Sequence, residues 1–259
     1  MLQYFFTYGS ELPAGVGFPM YGTAHILWLL AGTGACILLL LLFRRADNEK
    51  QRKLELALGL FPVALIVLRA CFLTAIGHQT VYELPLHLCA LAGFLCLAHM
   101  ITGKDWLGQV LYALCLPGTL LALIFPDWIY YPPVHFITIQ GFLFHFGVAW
   151  YILCELSCGK IRPDIKRIWN PILFLLICVP VVYLFDRHFR TNYMFLRVPS
   201  PGSPLEWMAS FMGVPGYLLG YAVMVAMVMI LMYLAEIVFD KLRRIGYNKG
   251  NTEEERECD

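Results

Sequence analysis

Charge is scarce in this chain. Only 14% of its 259 residues are charged and 59% are apolar, whereas a soluble domain carries about a quarter charged residues. The formal net charge of +1, with no basic-aromatic stripe, leaves no case for a nucleic-acid partner. Serine is missing from the body of every apolar stretch, which removes a Gly-x-Ser-Gly intramembrane nucleophile. Lysine is missing from the last stretch, so a retinal Schiff base has no amine there. His-Glu-x-x-His is absent, and Cys154 and Cys158 have no second Cys or His pair to complete a zinc pattern, so no metal and no cofactor is expected. Acids within the stretches are too few for an evident proton or sodium relay, and there is no internal repeat of the inverted-transporter kind. There is no Asn-x-Ser/Thr acceptor. Seven of the nine cysteines lie inside apolar stretches and none pairs across facing loops, so they outline no disulfide framework. The first residues lack the basic region and cleavage site of a signal peptide, so the first apolar stretch reads as a span.

What is present comes in apolar blocks of about 17 to 25 residues, the length a helix needs to cross about 30 Å of hydrocarbon. The expected fold is all-α: a polytopic membrane protein, a seven-transmembrane-helix bundle with spans at 22–43, 54–75, 83–101, 106–125, 135–155, 170–186 and 216–239. Residues 1–246 form one transmembrane domain, and 247–259 a charged, disordered tail. Of the nineteen lysines and arginines, fifteen fall in the first, third and fifth loops and the tail; three (Arg187, Arg190, Arg197) fall on the other side, and Arg69 within a span. The positive-inside rule then places the N-terminus outside and the C-terminus in the cytoplasm. Pro85 fits the first turn of the third span. Pro117-Gly118 and Pro180 predict kinks in the fourth and sixth.

The polar residues of the spans gather toward the outer side. Glu83, His87 and Cys89 open the third span; His135, Thr138, Gln140 and His145 descend the fifth; Arg69 lies near the outer end of the second; Arg187, His188, Arg190, Asn192 and Arg197 fill the segment after the sixth. Ionisable groups in lipid are costly and mark function, so this clustering predicts a cavity open to the outer side. At about 100° per residue, Glu83 and His87 share one face, while Cys89 shares another with Pro85, Ala92 and Cys96. Cys89 lies about 9 Å and His145 about 15 Å into their helices, close enough to meet with ordinary tilt.

That arrangement permits nucleophilic catalysis. A buried thiol is inert until a base removes its proton; His145 would be that base, and Arg69 with the outer arginines would hold a phosphate headgroup. Plainer roles stand beside these. A Cys in a span is also small apolar filler, an intramembrane His a hydrogen-bonded structural group, Arg69 a side chain reaching to headgroups, and Glu83 a helix cap. A lipid or small-anion binder or transporter would use the same groups without a covalent step.

Four motifs occur in order: Glu83-Leu84-Pro85-Leu86-His87-Leu88-Cys89, Ala122-Leu123-Ile124-Phe125-Pro126-Asp127, Phe142-Leu143-Phe144-His145, and Thr191-Asn192-Tyr193-Met194-Phe195-Leu196-Arg197. In order and spacing they resemble the YwaF family of bacterial integral membrane proteins, over about residues 20–240. That family is related to a eukaryotic transmembrane acyltransferase that acylates lyso-ether phospholipids. The resemblance implies a bacterial plasma-membrane protein acting on a phospholipid or lysophospholipid, with Cys89 carrying the acyl group and His145 assisting. Glu83, His87, Arg69, His135, Asn192, Tyr193 and Arg197 would bind substrate. Four positions depart from the family pattern: Ala90 where an acid often follows the cysteine, Phe144 where a serine often precedes the histidine, and Arg190-Thr191 in place of Gly-Ala.

Overall fold

A computed structural model describes residues 2–257, with side chains through Lys241. The last helix continues through Glu257, into the charged tail expected to be disordered at 247–259; residues 258–259 lie outside the described residues. The described residues form eight helices and no strand: α1 (Thr23–Arg45), α2 (Asn48–Ala75), α3 (Leu88–Thr102), α4 (Asp105–Ile124), α5 (Phe136–Ser157), α6 (Trp169–Phe189), α7 (Pro204–Met212) and α8 (Tyr217–Glu257). Six of them, all but α3 and α7, are long and apolar enough to cross a membrane. α2 starts earlier than its apolar run because Asp47 caps it, its carboxylate accepting from Lys50 N–H at 2.9 Å.

The helix of the third expected span is shorter than expected and starts later. α3 has 15 residues, about 22 Å at 1.5 Å per residue, short of the hydrocarbon thickness of about 30 Å. The helix does not start at Glu83. Leu84 precedes Pro85, which disfavours helical backbone, and both Leu84 (φ −68°, ψ 148°) and His87 (φ −67°, ψ 148°) are extended. The chain therefore enters as non-helical backbone and becomes helical only at Leu88, with Pro85 ahead of the helix instead of in its first turn. Glu83 and His87 do not share a helical face.

α5 is the central helix, packed against α1, α2, α3 and α4, and most of its length is buried. α6 and α8 bury little and present apolar flanks outward. In α4 the backbone loosens into a π turn at Leu111–Cys115 directly before Pro117. A proline lacks the N–H and crowds the preceding turn, and the wider turn absorbs both, so the expected break at Pro117-Gly118 is a π turn within a continuous helix. α6 runs as α-helix through Pro180. α3 meets α5 where Gly93 faces Phe144: a Cβ on Gly93 would lie 3.3 Å from the Phe144 ring and 3.1 Å from Ile66 of α2. Cys89 is one turn before that crossing on α3, and His145 follows Phe144 on α5.

Candidate functional site

The end of the bundle that carries the N-terminal segment and the α2–α3, α4–α5 and α6–α7 connections holds every candidate site residue, and is called the site end below. The N-terminal segment folds across it. His135 caps α5, its Nδ1 accepting from Ile137 N–H at 3.0 Å, while its Nε2 donates to the Thr7 carbonyl at 2.9 Å. Both ring nitrogens are thereby used, the ring stacks on Tyr131 at 4.4 Å, and the residue is fully buried. His135 is thus a fastening for the N-terminal segment.

Next to it, Tyr8 donates to Glu83 Oε1 at 2.6 Å and Arg69 Nη2 donates to Glu83 Oε2 at 2.8 Å. Burial, and after it the bond to Glu83, hold the Tyr8 phenol above its ordinary value, so it remains a donor. Arg69 and Glu83 form an ion pair tying α2 to the segment before α3. Glu83 is not a helix cap, because the helix starts five residues later.

The α6–α7 connection is built around Asp186, a fully buried residue at the end of α6. Its Oδ1 accepts from the Thr191 hydroxyl at 2.6 Å and from Tyr193 N–H at 2.9 Å. The Asn192 side chain closes a loop, accepting from the N–H groups of Arg197 and Val198 at 3.0 Å and donating to the Val198 carbonyl at 2.9 Å. Arg197 donates to the carbonyls of Thr191 at 3.1 Å and Asp186 at 3.4 Å. Tyr193 reaches across to the segment before α3: its hydroxyl donates to the Val81 carbonyl at 2.6 Å and accepts from Leu84 N–H at 2.8 Å. His87 is held to the same connection, its Nδ1 accepting from Met194 N–H at 3.2 Å and its ring lying edge-on to Tyr193 at 5.1 Å. Asn192, Tyr193 and Arg197 all bond backbone groups of the chain itself.

Deeper, His145 Nδ1 lies 2.7 Å from the Gly141 carbonyl one turn back on α5. A carbonyl only accepts, so Nδ1 carries the hydrogen and, in the neutral ring, Nε2 keeps its lone pair. Trp128 stacks on the imidazole at 5.0 Å and 20°. Gly141 permits this, since a Cβ there would lie 3.0 Å from the indole. Cys89 is in the first turn of α3, a free thiol, partly exposed and packed against the core cluster that contains Ala92 and Cys96. The face expected for Cys89 from helical phase is the one observed. Among the described residues no hydrogen bond joins Cys89 to His145. Both sit in the field of one carboxylate, Asp127, as does His87.

The sequence reading missed Tyr8, Asp127, Trp128 and Asp186. Asp127 carried a signal, as it ends the second motif; Tyr8 and Asp186 carried none, because their partners lie 75 and 5 to 7 residues away in geometry that only folding creates. Among the described residues no group of three or more His, Cys, Asp or Glu is arranged to hold a metal. A hollow of about 420 Å³ at the site end lies between Leu12, Pro13 and Phe18 of the N-terminal segment and Ile129-Tyr130, apart from Cys89.

A family model described as the TMEM164 family matches residues 20–233. No curated protein and no solved structure matches the chain.

Proposed function

This chain belongs to the TMEM164 family, an integral membrane protein by its apolar helices, and from that premise we propose that it is a cysteine-dependent acyltransferase acting on phospholipid acyl chains at the outer half of the bilayer. The observation that carries this reading is His145. Its Nδ1–H is held by the Gly141 carbonyl, which leaves Nε2 as a base at the end of the bundle where Cys89 opens α3. The YwaF resemblance supports the same pair.

In the first step Nε2 of His145 takes the Cys89 proton and the sulfur attacks the carbonyl carbon of an acyl ester. The ester C–O bond breaks, His145 returns the proton to the departing lysophospholipid oxygen, and a thioester remains on Cys89. In the second step His145 takes a proton from an acceptor hydroxyl, the acceptor oxygen attacks the thioester, and the thiolate leaves and is reprotonated. Proton transfer by a placed histidine contributes about 10² to 10⁴-fold. The first turn of α3 sets its partial positive charge beside the sulfur and offsets part of what burial costs the thiolate, so removal of the proton falls to His145. Trp128 fixes the imidazole plane. Arg69, paired with Glu83, lies at the site end, where the headgroup of the lipid would rest.

The test is mass spectrometry of the intact protein after incubation with phospholipid vesicles. An acyl mass on the Cys89 peptide, absent in Cys89→Ala, is the expected result. Acyl transfer that survives Cys89→Ala removes the nucleophile assignment. The N-out orientation has its own check: a thiol label that cannot cross the membrane should reach a cysteine placed at Tyr82 from outside and not one placed at Lys50.

A further inference from the structure

Cys89 sits at the start of a helix shorter than a full span, so the backbone that leads into the helix helps to fix its depth. The α6–α7 connection bonds the backbone that leads into it at three points. The Tyr193 phenol makes two bonds with that backbone, to the Val81 carbonyl at 2.6 Å and to Leu84 N–H at 2.8 Å. Met194 N–H is bonded to His87, the residue on which α3 begins. Burial pushes the Tyr193 phenol up to about 12, so it stays protonated and can donate and accept at once. Non-helical backbone at membrane depth persists only where its polar groups are matched by protein, and Tyr193 supplies that match.

The clamp is itself held rigidly. Asp186 fixes Tyr193 N–H and the Thr191 hydroxyl through one oxygen, and Tyr217 donates to the Phe195 carbonyl at 2.5 Å. Arg190, Met194 and Phe195 have φ of 60°, 51° and 55°, a left-handed conformation that non-glycine residues hold only when their surroundings enforce it. Three such residues within six positions mark a connection constrained to one shape. The same connection packs on α3: Leu86, Leu88 and Leu91 lie against Val182, Tyr193, Met194 and Leu196, whereas Cys89 faces the opposite way into the main core. The leucines on one side of the first turn therefore set how far Cys89 projects on the other.

We propose that Tyr193, anchored by Asp186, is a positioning residue: it holds the segment 81–87, a single tight turn at Val81–Glu83 followed by extended backbone at Leu84 and His87, and thereby sets the depth and aim of Cys89. The proposal rests on Cys89 as the reactive thiol, but its readouts do not require acyl transfer. The titratable groups facing Cys89 are Asp127, Cys115 of α4 and Tyr221 of α8, and none belongs to the clamp. A displaced Cys89 changes its distance to all three, so its alkylation rate against pH reports position.

The experiment follows iodoacetamide alkylation of the Cys89 peptide by mass spectrometry across pH, in the full chain in lipid nanodiscs. Tyr193→Phe should change the Cys89 rate at least fivefold and shift its pH profile. Tyr233→Phe, which removes a buried phenol bond to Gln109 at 3.1 Å in α8, should leave both within twofold. Equal changes in the two variants, or none in Tyr193→Phe, overturn the clamp. Hydrogen exchange on the unaltered protein keeps the proposal open to refutation if Tyr193→Phe does not fold. The Leu84 amide should exchange at least tenfold more slowly than an unstructured amide, and fast exchange there overturns it. A Cys89 response to Tyr193→Phe without any acyl mass in the parent would keep the clamp and remove the acyltransferase reading.

Discussion

The Arg69–Glu83 pair offers the sharpest test of how the site end is held. The Glu83 carboxylate is 12% exposed and the Arg69 guanidinium 32%, so the pair stands between two regimes. Exposed ion pairs contribute up to about 1 kcal/mol; removing one partner of a fully buried pair costs about 3 to 5 kcal/mol, because the other charge is stranded. Here Arg69→Met leaves Glu83 with only its Tyr8 bond, and the expected loss is about 2 kcal/mol, partial burial lying midway. Glu83→Gln should cost less, about 1 kcal/mol, since the amide oxygen still accepts from Tyr8 and the guanidinium regains water. In the double variant the losses should fall short of their sum by about 1 kcal/mol, the signature of direct coupling. The assay is reversible denaturation in mixed micelles for all four proteins. Additive losses, or an Arg69→Met loss below about 0.5 kcal/mol, would refute the pair as a fastening. A stable Arg69→Met protein with a raised KM for phospholipid would instead give Arg69 to the headgroup.

Three further outcomes follow from the geometry. His145→Gln should slow formation of the Cys89 acyl mass about a hundredfold to ten-thousandfold while the fold persists, read by stopped reactions and mass spectrometry. Gly141→Val places atoms where the Trp128 ring lies 3.0 Å from a Cβ; it should cost about 1 to 3 kcal/mol, and the displaced indole should show as a changed tryptophan emission. At the opposite end, Lys160 bonds Glu55: burial lowers the Lys160 ammonium, and the Glu55 hydrogen bond with the charges of Glu155 and Glu55 more than offsets this, holding it above the ordinary lysine value. A raised folded value means stability present at neutral pH and lost as pH climbs through that value, so thermal unfolding should show an alkaline decline above about pH 10. Lys160→Met should flatten it.

The residues whose neighbours are close in sequence were legible before folding. Cys89 shows this: a 100° step puts it with Ala92 and Cys96, and the core receives all three on one side. His145 likewise falls on the expected helix, and Gly141, four residues back, sets its tautomer. Glu83 and His87 were misplaced because Pro85 disfavours helical backbone at Leu84, so the helix starts at Leu88, five residues after the apolar pattern does, and because the bond that holds Leu84 extended comes from Tyr193, 109 residues away. Asn192 and Arg197 have the chemistry of headgroup ligands, yet their polar atoms bond the connection's own backbone.

Sequence alone settled the helical membrane class and, to within a few residues, the helices of the first, fourth, fifth and sixth expected spans, whereas α7 was not foreseen. Those properties follow from local hydropathy, helical period and the cost of charge in lipid, each a function of neighbours along the chain. Tertiary structure decided what the polar groups do. Whether an arginine meets a carboxylate, a carbonyl or open space depends on which segments fold against it. Here Tyr8, Asp186 and Tyr193, from three distant parts of the chain, satisfy the backbone and charges around α3. They leave Cys89 and His145 at the site end with a sulfur and an Nε2 that form no hydrogen bond among the described residues, as is also true of the Nε2 of His87.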